Sequence, residues 1–241
     1  MKKDHVDPPF VLPASLFHGT SESSVAGILK HGIIPRKLAK KDNWKHTISS
    51  NPQMVYLTDC YAGYFAQSAV KKDERWAIVE VELEHLDEGK LYPDEDCIAQ
   101  TLRLQGHYIA IDLNTLTRRI RDSIDEWQEY WELSVRGIGG CAHRGVISRD
   151  AITRIALYDP KSNPFITLAC LDPAISTLNH FFCQPKYSAL TRWLMGERIR
   201  LEDLYSEAEL SVMRNDAEPY LQRVIEALDN QQIEIVHVRK T

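Results

Sequence analysis

Two short runs constrain this chain more than anything else in it: Leu16-Phe17-His18-Gly19-Thr20 and, one predicted strand later, Val55-Tyr56-Leu57-Thr58. The first is β-prone and ends in an imidazole, a flexible glycine and a small hydroxyl. Those groups therefore come to a strand end, where side chains converge on ligands. Between the two runs, Ser21 to Lys30 reads as a helix opened by Ser/Thr caps. Gly32-Ile33-Ile34-Pro35 closes that helix with the usual stop signals. The second run is a strand carrying Tyr56, and Asp59 to Val70 follows as a helix bearing Tyr61, Tyr64 and Phe65.

Further along, Arg75 to Glu84 alternates apolar and acidic side chains over its second half, the period of a half-buried strand. Leu91-Tyr92-Pro93-Asp94-Glu95-Asp96 punctuates the chain, its acidic triplet placed to cap a helix starting near Cys97. Without a glycine-bearing loop or a fourth acid, that triplet reads as a cap and not as a divalent-cation site. Leu113 to Val135 carries Leu116, Ile120, Ile124, Trp127 and Trp131 at helical spacing, which predicts one amphipathic helix lying across a sheet. Ala151 to Tyr158 and Phe165 to Leu171 read as strands joined by a turn-rich link, and Asp172-Pro173 marks a boundary. Beyond it come helical stretches at Ser188 to Met195, Leu201 to Leu204 and Glu207 to Leu228. The alternating strand Ile233 to Val238 then rejoins the sheet or hides an edge. The expected class is α+β, with a unit over residues 1–172 and a mainly helical C-terminal extension over 173–241.

The 241 residues suffice to bury a real core, and a formal net charge of -5 leaves no overall electrostatic footprint for nucleic acid. Five widely spaced cysteines, with no Cys-x-x-Cys pair and no His-x-x-x-His partner, argue for reduced thiols and against structural zinc. The Met-Lys-Lys start is followed by Asp4, His5, Asp7 and two prolines, so no apolar signal core follows the charges. No stretch approaches about 18 uninterrupted apolar residues. The expectation is a cytoplasmic protein without a membrane span.

The order of strand with His-Gly-Thr, helix, Gly-Ile, loop, strand with Tyr-Leu-Thr and aromatic-bearing helix resembles the ADP-ribosyltransferase superfamily, in its branch with the His-Tyr-Glu motif. The resemblance covers residues 15–160 and implies a split β core with flanking helices and NAD as co-substrate. It assigns His18, Gly19 and Thr20 to the nicotinamide amide and adenosine ribose of NAD, and Tyr56 to stacking on the nicotinamide ring. Tyr64 is the best-spaced second aromatic for that clamp, although an aromatic at this spacing also suits a core. Arg36, after Gly-Ile-Ile-Pro, could reach the pyrophosphate with its planar fork, or be a surface charge.

The family's third motif is a glutamate ahead of a strand shaped like Gly145 to Ile155, and Ile138 to Arg144 holds no carboxylate. Glu132 fills that role through another register, or His143 or Arg144 stands there. A basic residue at that position shifts the resemblance toward the tRNA 2'-phosphotransferases. The resemblance thus implies mono-ADP-ribosylation of a macromolecule, protein or nucleic acid, with release of nicotinamide. An RNA 2'-phosphotransferase-like enzyme and a degenerate nucleotide- or partner-binding member are the alternatives. The size fits a bacterial or phage toxin or effector, and toxic members of the superfamily usually travel with a neutralising antitoxin.

Overall fold

The computed structural model describes residues 11–39, 50–71, 73–162 and 177–239. The predicted strand Phe165 to Leu171 and the boundary at Asp172-Pro173 lie outside them.

Among the described residues, seven strands form one open sheet in the order β4-β5-β2-β1-β3-β6-β7, every neighbouring pair antiparallel. They are β1 (Ser15–Ser21), β2 (Met54–Thr58), β3 (Trp76–Glu82), β4 (Leu91–Pro93), β5 (Gly140–Arg144), β6 (Ile152–Tyr158) and β7 (Ile233–His237). The helices are α1 (Val25–His31), α2 (Arg36–Ala39), α3 (Ala62–Ala69), α4 (Glu95–Leu104), α5 (Leu113–Asp122), α6 (Trp131–Ile138), α7 (Thr177–Leu194), α8 (Glu207–Asp216) and α9 (Glu218–Asp229). This is an α+β architecture.

The strand alternation sorts side chains onto two covered faces. Phe17, Trp76, Ile78 and Tyr158 pack with Ala62 and Ala66 of α3 and Leu190 and Trp193 of α7. On the opposite face Leu16, Val55, Leu57, Val79 and Ile155 meet Val25 and Ile28 of α1. A third cluster joins Met54, Tyr92 and Ala142 to Ile98 of α4 and Leu116 and Ile120 of α5. Because both faces are covered, the first four residues of β3 are buried throughout, and over its second half half-exposed Glu80 and Glu82 alternate with buried Val81 as the acidic spacing predicts. Glu80 keeps its carboxylate there by accepting from Thr153 at 2.7 Å and Arg154 at 2.6 Å.

Three predicted elements come out differently. The single helix expected over 113–135 is α5, a 3-10 stretch at Ile124–Tyr130, and α6. Ser123 breaks it: its backbone leaves the helical region, and its hydroxyl donates to the Arg119 carbonyl and accepts from Trp127 Nε1. The helix expected over 207–228 divides at Ala217, because Pro219 in the first turn of α9 cannot continue the α8 hydrogen-bond ladder. Residues 145–148 are loop, apart from a bridge between Ile147 and Ile33, and Arg149–Ala151 is a 3-10 turn ahead of β6.

From Thr177 onward the chain is tied into the same sheet. The Thr191 hydroxyl donates to the Cys60 carbonyl at 2.6 Å, Trp193 Nε1 donates to the Leu228 carbonyl at 3.0 Å, and β7 pairs along β6. No helix among the described residues is long and apolar enough to cross a membrane.

Candidate functional site

The centre of the sheet has a seam. β1 pairs with β3 at seven successive positions but with β2 at one alone, Phe17 against Thr58. Beyond that pair the strands diverge, and His18 sits where they part. Its Nδ1–H donates to the Tyr56 carbonyl at 3.0 Å. A carbonyl only accepts, so the neutral ring presents Nε2 as an acceptor. Burial holds the imidazole below its ordinary pKa, opposed by the Tyr56 carbonyl, so it stays neutral at pH 7.

The imidazole therefore meets the main chain of Tyr56 and not its phenol. Phe17 and Thr58 face each other, so alternation puts Tyr56 on their side of the sheet and His18 on the side of Leu16. The phenol is committed elsewhere. Its oxygen lies 2.8 Å from each oxygen of Glu95, the first residue of α4, and accepts from the Asn51 N–H at 2.8 Å. Glu95 is 4% exposed. Burial and the neighbouring carboxylates raise the phenol's pKa well above its usual range.

The acidic triplet does cap α4, through Asp94, which accepts from Asp96 N at 2.9 Å and Cys97 N at 3.0 Å. Burial, then the charges of Asp96 and Glu95, push its carboxyl up to about 7. A carboxyl whose folded pKa is raised contributes stability that is full below the unfolded value near 4 and lost as pH rises toward 7. His18 and His143, both lowered, act the other way, losing stability as pH falls below about 6.5. The parent's stability should therefore exceed its pH 8 value near pH 5 by more than that of Asp94→Asn, which keeps a capping side chain. Urea midpoints of the two proteins across pH 5–8 read the difference, and parallel curves would exclude it.

The other expected site residues scatter. Gly19 lies directly under α3, and Thr20 beside it is buried. Tyr64, on α3, packs edge-on against Phe65 with centroids 5.7 Å apart. Arg36 donates to the Ser50 carbonyl at 2.8 Å. Glu132 is exposed on the first turn of α6, on the same outer face as Arg136. His143 is 3% exposed on β5, between Val55 and Leu91, and among the described residues no hydrogen-bond partner meets its Nδ1. Arg144 pairs with Asp125 at 2.6 Å and lies 4.2 Å over the Tyr92 ring.

Two other surface features stand apart from the seam. An open depression of about 630 Å³ is lined by the acids Glu88, Asp125, Glu126 and Glu129 with Gln128 and Trp131. Such a lining repels a pyrophosphate. Glu82, Glu84 and His85 bring donors together at the end of β3, but Arg239 Nη1 already stands 3.0 Å from Glu82 and 3.2 Å from His85 Nε2.

The seam thus sets an acceptor imidazole on one face of the sheet and, on the other, an aromatic ring with a buried carboxylate behind it, in an α+β scaffold with an open antiparallel sheet. No protein-family model matches the sequence, and no curated protein matches it significantly. Sequence reasoning missed Glu95 as a partner of Tyr56, taking it only as part of a cap. The one local signal was its place at a helix start, which does not say where its side chain goes.

Proposed function

We propose that the protein is an NAD-dependent mono-ADP-ribosyltransferase that modifies a macromolecule and releases nicotinamide. The observation that carries this reading is the seam, where β1 and β2 separate after a single pair and leave His18 and Tyr56 beside the gap on opposite faces of the sheet. We take it as the split of an ADP-ribosyltransferase-type core, with β5, the strand beside β2, in the place of the third motif.

The chemistry asks for positioning and charge more than for acid or base. Cleaving the bond between nicotinamide and ribose builds positive charge on the sugar. His18 Nε2 accepts a hydroxyl of NAD, and the Tyr56 ring gives a face to the nicotinamide. In its ionised form Glu95, behind Tyr56, adds a negative field that favours the developing cation.

Incubation with NAD and a cell lysate, reading released nicotinamide, tests this. His18→Ala should lower release by about a hundredfold. Tyr56→Ala should weaken NAD binding by about 1 to 3 kcal/mol through lost stacking. No release by the parent, or equal release by His18→Ala, overturns the reading.

A second reading changes the chemistry within the same fold. β5 carries His143 and Arg144 and no carboxylate, which favours a 2'-phosphotransferase-like enzyme acting on RNA. Removal of a 2'-phosphate from RNA in the presence of NAD, abolished by Arg144→Ala, would select it. Glu132→Ala and His143→Ala, compared in both assays, decide which residue fills the third position. NAD binding without turnover in either assay would leave a binding member of the fold.

A further inference from the structure

We infer that Glu95 is a positioning residue for Tyr56: its carboxylate fixes the phenol so that the ring stands preset for the nicotinamide, an inference that rests on the transferase reading above. The geometry accounts for every polar bond at that end of the ring. The hydroxyl has one proton to give, and both Glu95 oxygens lie 2.8 Å from it. It also accepts from Asn51 N–H, which reaches Glu95 Oε1 as well, at 3.3 Å. The phenol is thereby held between two elements far apart in the chain, and its ring, packed in part against the third cluster, keeps only its remaining exposed surface for a ligand.

Glu95 is an expensive way to pack a helix start. It is 4% exposed, and among the described residues no Lys, Arg or His pairs with it. Its charge is met by a phenol, one main-chain N–H and the end of α4. Capping does not require it, since Asp94 performs that role. Across the sheet, the β5 residue opposite Tyr56 is Ala142, too short to hold the phenol from the other side. A side chain that burdens stability and holds a site aromatic in place is explained by the order it imposes on that aromatic.

The test separates positioning from mere structure. NAD affinity is measured for the parent, Glu95→Ala, Glu95→Gln, Tyr56→Phe and the double variant Glu95→Ala with Tyr56→Phe. Glu95→Ala should weaken NAD by about tenfold, and Glu95→Gln, whose amide oxygen accepts the same hydrogen bond, should restore most of it. In the Tyr56→Phe background the loss from Glu95→Ala should shrink to below about twofold, because the hydroxyl it acts through is gone. An equal loss in both backgrounds overturns the inference. NMR of ring-labelled tyrosine reads the contact without NAD: one of the ten tyrosine signals should move in Glu95→Ala and return in Glu95→Gln. If the parent binds NAD and no tyrosine signal moves, the inference fails alone. If the signal moves and the parent binds no NAD, the transferase reading fails and takes this role with it.

Discussion

Gly19→Ala is expected to destabilise the protein by about 3 kcal/mol, the upper range for forcing an atom into a filled space. A Cβ on Gly19 would lie 2.5 Å from Ala66 N and closer still to the Ala62 carbonyl oxygen. Both obstacles are helix backbone, so no side chain can rotate away. α3 would have to lift off β1, and with it Ala62 and Ala66, which are fully buried against the sheet. Gly27 supplies the control. It lies within α1, and a Cβ there meets nothing within 4 Å. Gly27→Ala should therefore stabilise by about 0.5 to 1 kcal/mol through helix propensity. Urea midpoints of the two variants should fall on opposite sides of the parent, and a Gly19→Ala protein as stable as the parent would contradict the packing described for α3.

Trp193→Ala should cost about 4 kcal/mol. The indole is 1% exposed, lies edge-on to Tyr158 at 5.9 Å and donates to the Leu228 carbonyl. Truncation leaves a large cavity and an unpaired carbonyl together. Tyr158 packs in turn at a tilt against Trp76 of β3, centroids 5.4 Å apart, so the loss reaches the centre of the sheet. The consequence concerns the C-terminal segment as a whole. If α7 to β7 were an appendage, the variant would unfold in two steps, with the sheet surviving the first. One cooperative transition at lower temperature, seen alike by near-UV and far-UV circular dichroism, is the result expected of a shared core.

The elements with strong local signals were legible. β1, β2, β3 and β6 declare themselves through β-branched and aromatic runs, α3 through its aromatic stripe, and the start of α4 through Asp94. β4 was not, because Leu91-Tyr92-Pro93 looks like punctuation and is a strand only by virtue of β5 beside it. β5 was read for a missing carboxylate and not as a strand, since Gly140, Cys141 and Ala142 carry little β-propensity. Their small size suits a buried strand: a Cβ on Gly140 would come 2.8 Å from Cys97 Sγ. The breaks at Ser123 and Ala217 depend on single residues inside otherwise periodic stretches. For the site, His18 and Tyr56 stood out in the sequence as residues, but the strand pairing brings the imidazole to the main chain of Tyr56 and sends the two rings to opposite faces of the sheet. The Tyr56–Glu95 bond was not legible, because it joins residues 39 apart through tertiary packing, which no local period reports.

Among the described residues, the two rims of the sheet decide how the protein behaves in company. One rim is β4, three residues long and ending in Pro93, which has no N–H to offer an incoming strand. The other is β7, five residues bearing the acid Glu234, which is engaged by Arg75 at 2.7 Å. Neither presents the long, flat, greasy border along which foreign chains add and fibrils grow. Concentrated samples of the native protein should accordingly stay clear on storage, and cloudiness should track the loss of α7 packing rather than docking along the rims.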